Sequence, residues 1–323
     1  MGEDVELYSI PYSMEKQMKC PLCGSMTLKQ AIKKVYSLYA ANGQYGLSYC
    51  WKCKNFITIP QPAENDLQEI YEKTYQYDVH SIIDQEKKWR TADLMSYLIK
   101  NSSKTNFNSV LEIGCMHGVF LKMMENYGAK HIVGVEPDQK AVENARKGGF
   151  SNIYNMNIDE FLKSGFAKES SFDLIVMTHV LEHLSKPKEI LEQLGSLLNP
   201  CGQLLLVVPN AHSFTSRILR GTWGWWQTPV HLFHYTLNGL QVILKTLRFE
   251  IKTTKYRGGD SLFLLLSLRN LFSKFAPFCK EQNHPNNKTH LKKIIIRIWS
   301  TLFKYYLFVG NEEIIILCVK EEL

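Results

Sequence analysis

The sequence predicts an α/β protein built on a doubly wound, mostly parallel seven-stranded sheet, preceded by a small four-cysteine module. Between residues 109 and 210, short apolar strands alternate with helical segments, the pattern of a parallel sheet covered by helices on both faces. The segment SVLEIGCMHGVFLKMM, residues 109–124, reads as a strand, a sharp glycine turn and the start of a helix. Two Cys-x2-Cys pairs, in CPLC and CWKC, precede this core.

The composition is that of a soluble globular protein. The chain has 323 residues, of which 45% are hydrophobic and 21% charged, and no apolar run is long enough to span a bilayer. The net charge of +7 mildly favours acidic partners such as a phosphate-bearing substrate, an anionic membrane surface or RNA, and does not choose among them. The acidic N-terminal stretch lacks the apolar run of a signal peptide, so we expect a cytoplasmic protein.

The chain divides into four predicted parts. They are a zinc ribbon (1–60), a helical connector (61–108), a cofactor-binding core with an aromatic substrate loop at 211–236 (109–257), and C-terminal helices with a closing strand (258–323).

The four-cysteine module predicts a structural zinc site. A gap of 26 residues separates the two Cys-x2-Cys pairs, so that four thiolates can close a tetrahedral site. The predicted ligands are Cys20, Cys23, Cys50 and Cys53. Because four thiolates leave no position open to water, metal-assisted catalysis at this site is not expected. The alternative is a set of buried cysteines without metal.

The glycine turn excludes two common cofactors. A dinucleotide-binding turn has the pattern G-x-G-x-x-G, but these positions hold Gly114, Met116 and Val119. A Walker lysine is also absent, so nucleoside triphosphate binding is not supported. S-adenosylmethionine has no phosphate and instead requires an acid near the first turn and another after the second strand. Glu112 and Glu136 occupy these positions, and the turn therefore fits this cofactor.

Residues 109–210 resemble the core of class I S-adenosylmethionine-dependent methyltransferases. VLEIGCMHG resembles the first motif of that family, VGVEPD its ribose-binding acid, FDLIVMTHVLEHL its fourth strand and LLNPCGQLLLVVPN its fifth. The HVLEHL and PN details resemble the branch that includes ubiquinone O-methyltransferases and bacterial sugar and natural-product enzymes. One departure is Met116, which stands where the family usually has its middle glycine, so that a positive φ there would be strained.

The resemblance implies a set of cofactor-binding residues. Glu112, Gly114 and Gly118 would hold the methionine end, Glu136 the ribose, Asn157 and Ile158 the adenine, and Thr178 and His179 the sulfonium, with Cys115, Met116 and Pro137 completing the site.

The segment 211–236 is the predicted substrate-facing element. Its stretch RGTWGWWQTPVHLFHYT resembles the substrate-facing cap of the same branch. Trp223 and Trp226 are expected to stack an acceptor ring, and His231 to contact the acceptor. The candidate bases are His231, His234 and His179, since imidazole titrates near neutral pH. The alternative for each histidine is a structural residue satisfied by backbone hydrogen bonds.

The C-terminal part carries two apolar helical segments, 261–275 and 290–310, the second with a narrow basic stripe. We expect these helices to be buried in the fold or in a homodimer, the alternative being a peripheral membrane contact. The final stretch EEIIILCVK predicts the antiparallel closing strand of the family.

The predicted function is O-methyl transfer to a small sugar-like or lipid-linked acceptor, with S-adenosylmethionine as cofactor. One alternative is an RNA methyltransferase, since zinc-bearing ribosomal RNA methyltransferases also join a four-cysteine module to this core. The segment between the knuckles is poor in Lys and Arg, which disfavours nucleic acid as a partner. The other alternative is a non-catalytic binding module.

Overall fold

A computed structural model describes residues 19–37, 44–63, 80–104, 106–259, 261–275 and 311–321. The strands are β1 (Leu28–Ile32), β2 (Gly46–Cys50), β3 (Phe56–Ile59), β4 (Ser109–Ile113), β5 (His131–Val135), β6 (Ile153–Tyr154), β7 (Phe172–Thr178), β8 (Leu198–Pro209), β9 (Phe233–His234), β10 (Phe249–Arg257) and β11 (Glu313–Lys320). The helices are α1 (His80–Asn101), α2 (Val119–Tyr127), α3 (Gln139–Lys147), α4 (Ile158–Lys163), α5 (Gly165–Glu169), α6 (Pro187–Ser196), α7 (Phe214–Leu219), α8 (Leu237–Thr246) and α9 (Ser261–Phe275).

The larger sheet has seven strands in the order β10-β11-β8-β7-β4-β5-β6. The neighbours from β8 to β6 pair in parallel, whereas β11 runs antiparallel to both β8 and β10. The predicted fold class and the antiparallel closing strand are therefore confirmed. The strand EIIILCVK is apolar almost throughout because β11 lies inside the sheet and is buried on both faces.

Alternate residues of the central strands enter separate cores on the two faces of the sheet. Leu111 and Ile175 belong to one apolar cluster, and their neighbours Val110 and Val176 belong to the other. Phe120, Leu121 and Met124 of α2 are buried, each contributing roughly 1.5–3 kcal/mol by the burial of apolar surface. Asp138 caps α3 by accepting the backbone N–H of Lys140 at 2.8 Å.

The chain reverses its direction of sheet growth between β4 and β7. From β4 it adds β5 and β6 on one side, and it then returns to place β7 and β8 on the other. Ligands of such sheets bind beyond the carboxyl ends of the strands at this switch point. The turn after β4 and the segment after β7 therefore frame the expected site.

The four-cysteine module forms a second sheet with the order β1-β2-β3-β9. Its fourth strand, β9, comes from the aromatic segment 211–236, which lies far away in the sequence. Cys20, Cys50, Cys53 and Ile57 belong to the same apolar cluster as Leu111 of the large sheet. The predicted ribbon is thus packed onto the core through the predicted substrate-facing segment.

Helix α9 packs against the aromatic segment. Phe263 stacks on Trp225 with ring centroids 3.5 Å apart, and the Ser267 hydroxyl accepts the N–H of Gly224 at 2.7 Å. Leu265 on the same helix is exposed. None of the helices within the described ranges has the length and hydropathy needed to span a bilayer. The predicted helix 290–310 lies outside the described residues.

Candidate functional site

The turn after β4 requires glycine at two positions. Gly114 and Gly118 have φ values of 72° and 73°, in the left-handed region that favours glycine. A Cβ at Gly114 would lie only 2.5 Å from Cγ2 of Val180, which belongs to the segment after β7. The two segments that frame the switch point are therefore in direct contact.

Met116 also adopts the left-handed conformation, with φ of 48°. This conformation costs an L-residue roughly 1–2 kcal/mol, so the substitution at the usual middle glycine is strained. The backbone N–H of Met116 donates to Oε2 of Glu136 at 2.9 Å. This hydrogen bond joins the turn to the acid that follows β5.

Two buried carboxyl groups lie at the carboxyl ends of adjacent strands. Glu136 also accepts the N–H of Asp138 through Oε1 at 2.9 Å, whereas Oε2 of Glu112 has no hydrogen-bond partner among the described residues. Burial raises the pKa of Glu136, and burial together with the nearby Glu136 raises the pKa of Glu112 well above its ordinary value. Such a pair favours a ligand that brings a cation and hydroxyl donors.

The predicted adenine-binding residues lie where β6 ends. Asn157 is engaged in a capping box, because its Oδ1 accepts the N–H of Glu160 at 2.9 Å and its own N–H donates to Glu160 Oε2 at 3.0 Å. Ile158 is buried at the start of α4. Asn155, which sequence analysis did not select, donates to the carbonyl oxygens of Glu136 and Pro137 at 3.1 and 2.9 Å.

The side chain of Cys115 belongs to the core. It is buried, and its Sγ lies 2.6 Å from where a Cβ on Gly134 would stand. Burial raises the pKa of this thiol, which is consistent with a structural side chain. Only the backbone of Cys115 borders the turn, where its N–H donates to the Val135 carbonyl at 3.3 Å.

His179 stands between two carboxylates at the end of β7, directly after Thr178. Its Nε2 lies 3.1 Å from Oε1 of Glu313, and its Nδ1 lies 3.4 Å from Oε1 of Glu182. Burial alone would lower the pKa of His179, but these two carboxylates outweigh burial and raise it to about 9. His179 is therefore cationic at neutral pH, which argues against its predicted role as a base.

Glu313 organises a buried charge network that sequence analysis missed. It pairs with Arg90 and accepts Nε of Arg257 at 2.7 Å, so that α1, β10 and β11 meet at this carboxylate. Burial would raise the pKa of Glu313, but Arg90, Arg257 and His179 hold it well below its usual range. No local pattern in the sequence indicates that these distant residues meet.

His231 and His183 share one tautomer. Nδ1 of His231 lies 2.8 Å from the carbonyl oxygen of Trp225, and Nδ1 of His183 lies 3.2 Å from that of Val230. Because a carbonyl only accepts, each Nδ1 carries the proton and each Nε2 carries the lone pair. Burial, followed by the charges of neighbouring histidines, lowers the pKa of His231 well below its usual value. His231 is thus neutral and can accept a proton at Nε2.

Glu182 lies beside these histidines and is almost fully buried. Apart from the ion pair with Nδ1 of His179, neither of its carboxylate oxygens has a partner in hydrogen-bond geometry in the described part of the chain. Ligand atoms of Glu182, His183 and His231 lie within 4.8 Å of one another, so these side chains could hold a metal ion. The same spacing also lets Glu182 stabilise positive charge on either imidazole.

The two tryptophans that were predicted to stack an acceptor ring are engaged by the protein itself in this structure. Trp223 and Trp226 are buried, and their indole N–H groups donate to Oε2 of Glu312 at 2.8 Å and to the carbonyl of Arg220 at 2.5 Å. Trp225 instead stacks on His179 with centroids 4.9 Å apart, and its indole N–H lacks an acceptor among the described residues. Trp225 therefore contacts His179 and Trp226 contacts His234, a distinction that the pattern WGWW does not make.

His234 is also engaged by its surroundings. Its Nε2 lies 3.0 Å from Oγ1 of Thr58 in the four-cysteine module. Burial, followed by the charge of His183, lowers the pKa of His234 to about 3, so that its ring is neutral. This hydrogen bond argues for a structural role for His234, the alternative weighed for each candidate histidine.

The family model of a methyltransferase domain matches residues 84–254, which is more than half of the chain. The chain belongs to this family. Residues 84–254 are accordingly a class I methyltransferase domain of the S-adenosylmethionine-dependent type, and the predicted family is confirmed at this level.

Curated relatives match this chain over part of their length. A ubiquinone biosynthesis O-methyltransferase from Maricaulis maris is 27% identical over 47% of this chain and 59% of its own length. A tRNA U34 carboxymethyltransferase from Campylobacter curvus is 32% identical over 30% of this chain and 33% of its own length. The chain thus spans less than two thirds of these relatives. The solved structure of a methyltransferase from Archaeoglobus fulgidus is 19% identical in sequence to this chain and has a TM-score of 0.46. The match covers 78% of this chain and 99% of that chain.

The four cysteines ahead of the methyltransferase domain fit a tetrahedral metal. Sγ of Cys20 lies 3.7 Å from that of Cys53, Sγ of Cys23 lies 3.6 Å from that of Cys50, and all four lie within 4.8 Å of one another. Zn–S bonds of about 2.3 Å require neighbouring sulfurs to be about 3.8 Å apart in a tetrahedron. The spacing therefore suits zinc, as the two Cys-x2-Cys pairs predict.

Proposed function

We propose that this chain transfers a methyl group from S-adenosylmethionine to a hydroxyl group of a small, sugar-like or lipid-linked acceptor. The observation that carries the proposal is the contact between two half-sites. The turn with its two buried acids meets the segment after β7 at Gly114 and Val180. That segment continues into Glu182 and His183, against which the base-competent His231 packs with ring centroids 4.6 Å apart.

The first half-site suits the cofactor. In this proposal Glu112 binds the ammonium of the methionine end, and Glu136 binds the ribose hydroxyls while holding the turn at Met116. When bound, S-adenosylmethionine supplies a methyl group that is activated by a sulfonium. Thr178 and His179 border this position at the carboxyl end of β7, and Asn157 and Ile158 border the adenine position. The backbone of Cys115 borders the first turn, and Pro137 follows Glu136 in the second.

The second half-site suits proton removal from an alcohol. Nε2 of His231 would accept the hydroxyl proton of the acceptor, and bound S-adenosylmethionine would supply the methyl group and leave as S-adenosylhomocysteine. The Nδ1–H bond to Trp225 keeps the ring in the required tautomer, and the Glu182 carboxylate stabilises the positive charge that develops. Burial of His231 excludes water, which supports methyl transfer over hydrolysis. A structural zinc ion at the four cysteines completes the proposal.

The decisive experiment is an acceptor screen with methyl-labelled S-adenosylmethionine against nucleotide sugars, glycans, quinones and tRNA. Label transfer to a small hydroxyl compound, lost in His231→Ala, is the expected result. Calorimetry with S-adenosylhomocysteine is run in parallel. Tight binding without any transfer would remove the proposed acceptor class, and absence of binding would leave only the non-catalytic module.

A second candidate acceptor is tRNA. Several relatives are tRNA U34 carboxymethyltransferases, and the four-cysteine module exposes Trp51, with Nζ of Lys54 5.5 Å from its ring centroid. An exposed aromatic ring beside a cation can stack a base. Salt-sensitive retention on tRNA, weakened in Trp51→Ala, would favour this candidate over a small molecule.

A further inference from the structure

We infer that the four-cysteine module is the positioning element of the acceptor half-site, acting through Thr58 on His231 and His234. This inference rests on the proposed function, because it assigns a role to the side chains that hold the candidate base. It adds a residue that lies outside both the methyltransferase domain and the cysteine cluster, and it makes the module a part of the acceptor site.

The module reaches the histidines by strand pairing. Phe56 pairs with His234 and Ile57 pairs with Phe233 across the β3–β9 ladder. The N–H of Thr58 extends this ladder by donating to the carbonyl of Leu232 at 3.0 Å. On the opposite side, the N–H of Leu232 donates to the carbonyl of Glu182 at 2.9 Å. The segment 231–234, which includes both histidines and β9, is therefore held between the module and the segment after β7.

The hydroxyl of Thr58 sets the geometry of both histidines. Its Oγ1 lies 2.6 Å from the carbonyl oxygen of His231 and 3.0 Å from Nε2 of His234. A carbonyl only accepts, and a hydroxyl has one proton, so Thr58 donates to His231 and accepts from Nε2–H of His234. His234 thus carries its proton on Nε2, whereas His231 carries it on Nδ1. One side chain of the module anchors the backbone of the base and fixes the neighbouring ring.

A second hydrogen-bonded link leads from the cysteines to the same segment. Nδ2 of Asn55 donates to the carbonyl of Cys53 at 3.0 Å, and its Oδ1 accepts the N–H of Thr236 at 3.0 Å. The Thr236 hydroxyl donates to the carbonyl of Lys54 at 2.7 Å. A Cβ on Gly239 would lie 1.9 Å from Oδ1 of Asn55, so the fit leaves no room for a side chain. The backbone at Cys53 is thereby coupled to the second half of the 231–239 segment, at Thr236 and Gly239.

The cofactor half-site is held by different groups. The N–H of Gly114 donates to the carbonyl of Val135 at 2.8 Å, and the N–H of Met116 donates to Glu136. These contacts lie within the large sheet and its turns. Loss of the Thr58 hydroxyl should therefore disturb the two histidines and leave cofactor affinity in place.

The test compares Thr58→Val, which keeps the shape but removes the hydroxyl, with Thr58→Ser, which retains it. The matched control is Thr246→Val, which removes the hydrogen bond from the Thr246 hydroxyl to the carbonyl of Ile243 at the end of α8. Nitrogen-15 NMR of labelled histidines reports the tautomer, calorimetry reports S-adenosylhomocysteine affinity, and elemental analysis reports bound metal. In Thr58→Val we expect the Nε2–H signature of His234 to be lost and the His231 signals to shift. Cofactor affinity should stay within about twofold of wild type and metal content should not change.

Cys23→Ser provides an independent variant. It should lower the metal content and shift the same two histidine signals, again without a large loss of S-adenosylhomocysteine affinity. Unchanged histidine signals in Thr58→Val would overturn the inference, as would a parallel loss of cofactor affinity, since the latter would indicate general unfolding. Failure of the proposed function appears differently, as absence of S-adenosylhomocysteine binding by the wild-type protein. Once an acceptor is known, Thr58→Val should reduce kcat about tenfold and alter its pH profile, with rescue by Thr58→Ser.

Discussion

The backbone N–H of Met116 donates to Oε2 of Glu136 across 2.9 Å. The residue that departs from the usual glycine pattern is thus tied directly to the acid that ends the next strand. A methionine at φ of 48° is tolerated because this hydrogen bond offsets part of the conformational cost. The turn and the acid therefore form one unit, and a change in either should affect cofactor binding.

Glu136→Ala should weaken S-adenosylhomocysteine binding by roughly 30-fold or more, because it removes a buried hydrogen-bonded carboxylate and releases the Met116 turn. Glu136→Gln keeps the size of the side chain and should cause a smaller loss. Glu192→Ala, on the exposed face of α6, serves as the control. Calorimetry at pH 7.5 measures the affinities, and equal values for wild type and Glu136→Ala would show that the pocket lies elsewhere.

Glu112→Gln should change how stability depends on pH. Burial raises the pKa of Glu112 above its ordinary 4.5, so the folded protein retains a proton that the unfolded chain has released. The protonated group makes its whole contribution to the free energy of unfolding below pH 4.5. This contribution is lost as the pH rises through the higher pKa of the folded state. In the absence of ligand, the variant should therefore become more stable relative to wild type as the pH rises from about 5 to about 8. Urea unfolding across this range measures the difference, and a constant difference would contradict the assignment.

The sequence predicted the elements whose signals are local. The alternation over 109–210 indicated the parallel sheet, and the apolar run EIIILCVK indicated a buried closing strand. The acids Glu112 and Glu136 followed from their positions at two strand ends. Each of these features depends on periodicity or on spacing within one β-α unit, which a single sequence displays directly.

Features that depend on distant pairing could not be predicted in this way. The ladder between β3 and β9 joins segments far apart in the sequence, and β9 has only two residues, too few to show an alternating pattern. Glu313 acquires its two arginines from α1 and β10, and Trp225 differs from its neighbours only in what surrounds it. The positive φ of Met116 likewise follows from the turn and not from the residue itself.

The metal content of the module can be tested with matched cysteine variants. Cys20→Ser should lose bound zinc, because it removes one of four thiolates and exposes the metal to water. Cys201→Ser changes an exposed cysteine outside the cluster and should retain about one zinc per chain, the content expected of wild type. Elemental analysis of purified proteins measures the ratio. Equal zinc in the two variants, or none in wild type, would exclude the proposed site.

His231→Ala should reduce methyl transfer by roughly a hundredfold or more while leaving S-adenosylhomocysteine affinity nearly unchanged, because the imidazole acts on the acceptor and not on the cofactor. Supplied imidazole should restore part of the rate if the lost group is a base. His212→Ala alters a half-buried histidine outside this cluster and is the control. Single-turnover measurements with the acceptor from the screen provide the rates, and full activity in His231→Ala would remove this residue from the mechanism.

Glu313→Gln should destabilise the protein by about 3–5 kcal/mol, because it leaves the guanidinium groups of Arg90 and Arg257 buried without their carboxylate. The same change should lower the pKa of His179, whose value of about 9 depends on this carboxylate. In wild type, the raised pKa of His179 stabilises the fold fully below 6.5 and progressively less as the pH approaches 9. That dependence should be weaker in Glu313→Gln than in the exposed control Glu321→Gln, as urea unfolding at several pH values will measure. An unchanged free energy of unfolding in Glu313→Gln would mean that the two arginines find other partners, and the network would then lose its proposed role in keeping His179 charged.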